Sequence, residues 1–529
     1  MADFTFTELT PTAFLRRSAL VHAERTAVVD GELRLTYREL YERSLALTGV
    51  LAGLGIAPGD RVAVLATNSH VLLELHHAVP MRGAVLVPLN IRLSEEELGY
   101  ILEHSGASLL VLSEEFAETG ARVAEAVGIP VLQGGPGSDY ERLLAAARPA
   151  EVACADERGL LGINYTSGTT GRSKGVMTHH RGAYLQSLSL VVHGRMDQST
   201  SYLWTVPMFH CNGWCLTWGI TAVGGTHVCL RKVEPERIWT LLREEGITHF
   251  SAAPTVLTMI ASAEGASGPP LERRVAVQTG GSPPSPTLLA RMDRLGMDVT
   301  HLYGLTETFG PIGINEWQPQ WEDLDADEQA TLRARQGVAN VIAEPLRVVD
   351  DQGSDVATDG RTVGEIVARG NDVMLGYYRD DEATAAVDLH GWFRTGDLAV
   401  MHPDGYVEIT DRAKDVIITG GENVASVEVE RVLDSHPDVV ESAVVAQPDE
   451  RWGEIPVAFV TLRSDATVTA DELGAHVRER LAGFKVPRRV VFGDLPKTST
   501  GKIQKQVLRR TAQSDEWSDE WPDASRAPG

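Results

Sequence analysis

Short apolar runs alternate with helix-length segments along most of this chain, and that alternation limits its fold more tightly than anything else. Thr36-Tyr37-Arg38-Glu39 is a capping box and opens a helix expected to reach about Leu54. An apolar strand at 61–67 follows, then a helical stretch at 70–83 and a strand at 84–89. Ser94-Glu95-Glu96-Glu97 is a second capping box, and 108–113 is a further strand. The rhythm resumes after residue 160, with strands at 201–206, 226–231, 248–253 and 273–279 and helices at 212–223, 234–245 and 255–263. Repeated βαβ units predict a parallel sheet with helices on its faces.

From about Ala343 the texture becomes β-rich, with turns at Asp351-Gln352-Gly353 and Pro403-Asp404-Gly405. After Asp411 it changes again, to a helix near 426–434, strands near 441–447 and 456–462, and a helix near 471–482. The expected fold class is α/β. A large N-terminal domain (1–411) has two doubly wound α/β subdomains plus a β subdomain, and a small mobile α+β domain (412–510) follows. Residues 511–529 repeat Ser-Asp-Glu-Trp and read as an acidic, disordered tail.

Composition removes several classes of function. The 529 residues carry 48 Lys plus Arg against 73 Asp plus Glu, a formal charge of −25, which argues against nucleic acid as a partner. Four cysteines make no disulfide framework, so a reducing, cytoplasmic location is expected. The N-terminus has no secretory h-region. Residues 201–230 lack Asp, Glu, Lys and Arg, but Pro207, His210, Asn212, Gly213, Gly224 and Gly225 favour a buried strand-helix-strand over membrane insertion. The sequence leaves oligomeric state open, a homodimer included.

The segment Tyr165-Thr166-Ser167-Gly168-Thr169-Thr170-Gly171-Arg172-Ser173-Lys174-Gly175 carries the strongest chemical signal. Glycines let the backbone approach an anion, free N–H groups and hydroxyls bind its oxygens, and Lys174 adds charge. The segment follows an apolar strand and precedes a helix-like stretch, and its spacing is not that of Walker A. It resembles the phosphate loop of the adenylate-forming superfamily, which holds acyl- and aryl-CoA ligases, carrier-protein adenylation domains and luciferases. The likeness spans roughly residues 30–510 and is nearest to the subgroup handling fatty and methylthio-alkanoic acids.

The resemblance implies roles for further motifs. Tyr303-Gly304-Leu305-Thr306-Glu307-Thr308 would line the nucleotide, with Thr306 on the α-phosphate and Glu307, with Thr170, on Mg2+. Tyr303 would stack near the adenine, and Gly280-Gly281-Ser282 would cover its other face. Asp397, in Trp392-Phe393-Arg394-Thr395-Gly396-Asp397, and Arg412 would hold the ribose. Lys414 would be the hinge between the domains. Lys502, in Lys497-Thr498-Ser499-Thr500-Gly501-Lys502, would enter the site for the first half-reaction and offset charge on the α-phosphate and departing pyrophosphate. Rotation about Lys414 would withdraw it and bring Gly420-Gly421-Glu422-Asn423 to form a pantetheine tunnel. Arg488, in a basic patch at 484–489, and Arg82 would meet the 3′-phosphate of CoA.

The implied activity is an AMP-forming acid:CoA ligase using ATP, Mg2+ and CoA on an apolar acid of short to medium chain. His210, Trp214, Gly281, Phe309 and Gly310 would build the acid pocket, with His210 a substrate contact or gate. The insertion 316–336, with Trp317 and Trp321, fits the same subgroup. Two alternatives stand beside this reading. One is a stand-alone aryl-acid adenylating enzyme that hands acyl-AMP to CoA, a carrier protein or an amine. The other is a nucleotide-binding protein without turnover, which intact Lys174, Glu307 and Lys502 argue against.

Overall fold

The computed structural model describes residues 5–135, 137–166, 172–282, 284–420, 422–449, 451–463, 466–498 and 501–513. The helix His70–Met81 explains the large domain. Every residue in it is buried, so it cannot lie on a surface. Its side chains join one core with both neighbouring sheets: Val28, Tyr202 and Trp204 come from one, and Val62, Leu86, Leu109 and Val111 from the other. Its buried Glu74 is held by Arg43 at 2.6 Å and by the Tyr140 hydroxyl at 2.5 Å.

One sheet has nine strands, in the order 338–339, 310–314, 297–305, 275–279, 249–252, 201–203, 226–228, 26–30 and 33–36. The second has seven, in the order 376–377, 174–179, 160–166, 85–88, 61–65, 107–112 and 131–133. Strands inside both sheets pair in parallel; antiparallel strands close both edges of the first sheet and one edge of the second, whose other edge strand, 131–133, pairs in parallel. A β subdomain follows, in which Val363–Ala368, Trp392–Met401 and Val407–Arg412 pair antiparallel. The small domain has a five-stranded sheet, with Gly453–Leu462 between Val439–Asp449 and Arg489–Phe492. The fold is therefore the expected α/β arrangement with a smaller C-terminal domain.

Both capping boxes form, at Thr36 and Ser94. The uncharged stretch 201–230 is strand, helix and strand. Among the described residues no helix is long and apolar enough to cross a membrane. Three details differ from the sequence reading. The phosphate loop does not run from strand to helix. It joins Leu160–Thr166 to the antiparallel strand Lys174–His179, and the helix His180–His193 comes only afterwards. The expected helix 212–223 begins only at Leu216, because Cys211, Asn212, Gly213, Trp214 and Cys215 all have positive φ. In the small domain the last expected helix stops at Arg478.

Candidate active site

The motifs converge where parallel strands end, the usual place for a site in an open α/β sheet. Leu160–Thr166 ends at the phosphate loop, Val275–Thr279 at Gly280, and Met297–Leu305 at Thr306. A cleft of about 270 Å³ is lined by Leu305 and Glu307 from one motif, Arg394 and Gly396 from the next, and Ala413 from the hinge segment.

Asp397 faces Arg412 across a strand pair. It is 2% exposed. Its Oδ1 accepts from Arg412 Nε at 2.9 Å, and its Oδ2 accepts from the Tyr303 hydroxyl at 2.8 Å. Burial and the Asp397 carboxylate push the Tyr303 phenol well above its ordinary value, so it stays a donor.

Glu307 lies on a short 3-10 turn, Thr306–Thr308. Its Oε1 accepts from the Tyr377 hydroxyl at 2.8 Å. Tyr377 pairs with Val176 across the sheet edge, which brings it beside Lys174. The Lys174 Nζ sits 4.9 Å above the Tyr377 ring and 3.9 Å from Asp380. One aromatic ring thus connects the phosphate-loop lysine to the candidate metal carboxylate. Tyr377 belongs to no motif recognised in the sequence; a glycine followed by two tyrosines at 376–378 is its only local signal.

Trp214 lies within the left-handed run, one residue before its end at Cys215. A methyl added to Gly280 would lie 3.5 Å from its Cη2, and one added to Gly310 would lie 3.4 Å from its Cβ. Trp214 thus packs close against Gly280 and Gly310. Gly281 has φ +92°, and Ser282 beside it is exposed. The Phe309 ring turns away into the core, with Leu161, Cys215 and Trp218, so its neighbour Gly310 is what meets Trp214. The buried Cys211 thiol donates to Thr306 Oγ1 at 3.4 Å, and burial pushes that thiol up to about 12. Burial first, then the charge of Lys502, pushes His210 down to about 4, so it is a neutral imidazole.

Lys502 comes from the small domain into this site. Burial and then the nearby Arg412 push its ammonium down to about 7, with Asp397 opposing them. Among the described residues its Nζ makes no ion pair. Contacts from the large domain hold its loop, among them Arg92 Nη1 donating to the Thr498 carbonyl at 3.2 Å and Thr255 Oγ1 donating to the Gly501 carbonyl at 3.2 Å. Lys414 is exposed. Around it the Asp411 carboxylate accepts from the Ser426 backbone N–H and hydroxyl, and Arg509 pairs with Asp415. Arg431 reaches Glu408 of the β subdomain at 2.7 Å.

On the small domain Trp452 is part-exposed between two guanidiniums, Arg451 at 4.8 Å and Arg488 at 5.7 Å from its ring centre. Its ring covers Gly420, where an added Cβ would meet Cε3 at 2.9 Å. Arg82 does not join this patch, since its guanidinium donates to the Ile56 and Ala150 carbonyls. Trp317 and Trp321 of the insertion pack on each other, and Trp321 on Tyr406. Thr166 ends its strand, and Gly304 pairs with Pro311. Ser167, Gly168, Thr169, Thr170, Gly171, Gly421 and the tail from 514 lie outside the described residues.

Comparison with known proteins adds to this geometry. Residues 15–378 match the model of the AMP-binding enzyme family, and 428–502 match the AMP-binding enzyme C-terminal domain. A peroxisomal acetate/butyrate–CoA ligase of Arabidopsis thaliana is 44% identical, over 96% of this chain and 95% of the relative. An acetate–CoA ligase of Humulus lupulus is 44% identical with the same coverage. Among solved structures, ATP-bound MatB from Rhodopseudomonas palustris superposes with a TM-score of 0.85 at 29% identity, over 96% of this chain and 99% of that one. Its apo form scores 0.75.

Proposed function

The chain belongs to the AMP-binding enzyme family as an AMP-forming acid:CoA ligase, and on that premise we propose that its acid is a short aliphatic carboxylic acid. The observation that carries the reading is Lys502 of the small domain set among Arg412, Asp397 and His210 of the large one. A mobile cation in a nucleotide cleft suits attack on an α-phosphate. The acid's carboxylate oxygen forms a bond to the α-phosphorus while the bond to pyrophosphate breaks. Thr306 binds the α-phosphate, Lys502 neutralises charge on the transferred and departing groups, and Asp397 with Arg412 fixes the ribose.

Glu307 fits Mg2+, because Tyr377 occupies only Oε1 and leaves Oε2 without a donor among the described residues. The ion, when bound, would neutralise phosphate charge. In the second half-reaction the small domain turns about Lys414 and withdraws Lys502. The CoA thiol then attacks the acyl carbon, loses its proton and releases AMP. Trp452 with Arg488 offers an aromatic face and a cation for the CoA nucleotide. We set the domain boundary just after Arg412, one residue later than the sequence reading, because Arg412 ends the strand Val407–Arg412 and pairs with Asp397, and we place the chain in the reducing cytoplasm on the strength of its free thiols.

Short acids follow from Trp214, whose indole crowds the space between Gly280 and Gly310. The names of the Arabidopsis and Humulus relatives agree with that choice. The test is mass spectrometry of products formed from Mg-ATP, CoA and acids from C2 to C16, with benzoates and cinnamates. Acyl-CoA from C2 to C6 acids is expected. Thioesters confined to aromatic acids would overturn the substrate, and acyl-AMP without thioester would overturn CoA as acceptor.

A further inference from the structure

Three buried polar side chains that the reaction does not touch, Gln186, Asn340 and Asp372, meet beside the strand Gly310–Ile314. Each is at most 2% exposed. They come from the helix His180–His193, the end of the short strand Val338–Ala339, and the loop before the edge strand Gly376–Tyr377. Asn340 is the centre. Its Nδ2 donates to the Pro311 carbonyl and to Asp372 Oδ2, each at 3.0 Å, and lies 3.3 Å from Gln186 Oε1. Its Oδ1 accepts from the Ile342 backbone N–H at 3.0 Å, which fixes the amide's orientation. Gln186 Nε2 donates to the same Pro311 carbonyl at 2.7 Å. Asp372 Oδ1 has no hydrogen-bond partner, and burial pushes the carboxyl up to about 7. Gly370 makes room for it, since a methyl there would lie 2.3 Å from Oδ1. A buried carboxyl oxygen left bare is costly, and native folds keep few of them without a use.

The position of the network indicates the use. Pro311 has no N–H to give, and its strand pair carries an irregularity between Tyr303 and Gly304, so the ladder offers this stretch fewer bonds. Two side-chain amides on one carbonyl take their place. Gly310, the residue before, packs against Trp214. The chain that carries Asp372 also reaches the other end of the same motif. The Met374 N–H donates to the Glu307 carbonyl at 2.8 Å, and the Tyr377 hydroxyl donates to the Glu307 carboxylate. One stretch, 372–377, is thus tied to both ends of 307–311, the candidate metal carboxylate at one and the acid wall at the other. Resting on the proposed function, we infer that Gln186 and Asn340, anchored by Asp372, are positioning residues that hold Gly310 and Pro311 against Trp214 and so limit the chain length of the acid.

The test reads pyrophosphate release with butyrate and with hexanoate, so it needs no thiol acceptor. Gln186→Met keeps the length of the side chain and removes its donor to Pro311. It should raise the hexanoate-to-butyrate ratio of kcat/KM by about three- to tenfold, the range for one buried neutral hydrogen bond, and leave KM for ATP within about twofold. Asp372→Asn keeps an acceptor for Asn340 and should stay within about twofold of the wild-type ratio, whereas Asp372→Leu should shift it as Gln186→Met does. A residue that only supports the fold would lower the melting temperature and both rates together, leaving the ratio where it was. An unchanged ratio in Gln186→Met would therefore overturn the inference, and so would a shift in Asp372→Asn equal to that in Asp372→Leu. Should Asp372→Leu fail to fold, Gln186→Met alone decides. A wild-type enzyme that releases pyrophosphate only with aromatic acids would instead overturn the proposed substrate, and the cinnamate-to-benzoate ratio in the same variants would then decide the inference.

Discussion

The ribose-and-phosphate face and the Lys502 loop belong to one site but are held in opposite ways. Asp397, Arg412, Tyr303, Glu307 and Tyr377 sit on or beside paired strands, and each side chain is tied to another of the set by a hydrogen bond or ion pair. The Lys502 loop is held from the large domain through the Thr498 and Gly501 carbonyls, and among the described residues its ammonium makes no ion pair. Groups that only bind the nucleotide can be rigid. A group that must leave after one half-reaction needs a weak hold, and two neutral-acceptor hydrogen bonds contribute about 1–3 kcal/mol together.

The widest separation between the two regions should come from Lys502→Ala. Adenylation, read as pyrophosphate release, should fall by about 10²- to 10³-fold, while thioester formation from supplied acyl-AMP stays within about threefold. Equal losses in both steps would erase the contrast. Trp214→Ala tests the rigid side. It should raise kcat/KM for C6 to C8 acids relative to butyrate by at least about tenfold, since each methylene of a hydrophobic pocket is worth about 1–3 kcal/mol. An unchanged chain-length profile would mean that the indole does not bound the acid. The latch itself is probed by Arg92→Ala with Thr255→Val. The pair should slow adenylation by about tenfold and leave thioester formation unchanged or faster. A parallel loss in both steps would make these residues part of the fixed wall.

The smallest effect is on pH dependence. The Lys502 ammonium lies near 7 and its charged form does the work, so kcat/KM for adenylation should fall as pH rises through about 7. The thioester step should lack that limb, and Lys502→Arg should remove it from the first step. A limb common to both steps would assign it elsewhere.

Much of the binding face was legible because its residues are local in sequence. A capping box needs four residues, and those at Thr36 and Ser94 formed as read. Thr306 and Glu307, or Arg394 and Asp397, likewise lie in one motif each. The latch was not legible. Arg92 contacts a residue 406 positions away, and Thr255 one 246 away, so only the assembled fold brings them together. Tyr377 and Glu307 are 70 apart and meet through an antiparallel edge that the sequence reading took for the start of a helix. The break at 211–215 was hidden for another reason: its apolar residues suit a buried helix, and the left-handed backbone has no signature beyond Asn212 and Gly213.

That break bears on how such a pocket can be changed, by selection or by design. Four non-glycine residues, two on each side of Gly213, hold a backbone that L-amino acids disfavour, so most replacements there add to strain the fold already carries. Across the indole, Gly280 has an ordinary backbone, and the tightest contact of a Cβ added there would be the Leu302 carbonyl at 3.0 Å, so a small shift of that strand is its cost. New acid preferences should therefore arise more readily by substitution on the opposite wall, with the strained turn inherited intact as a fixed anchor.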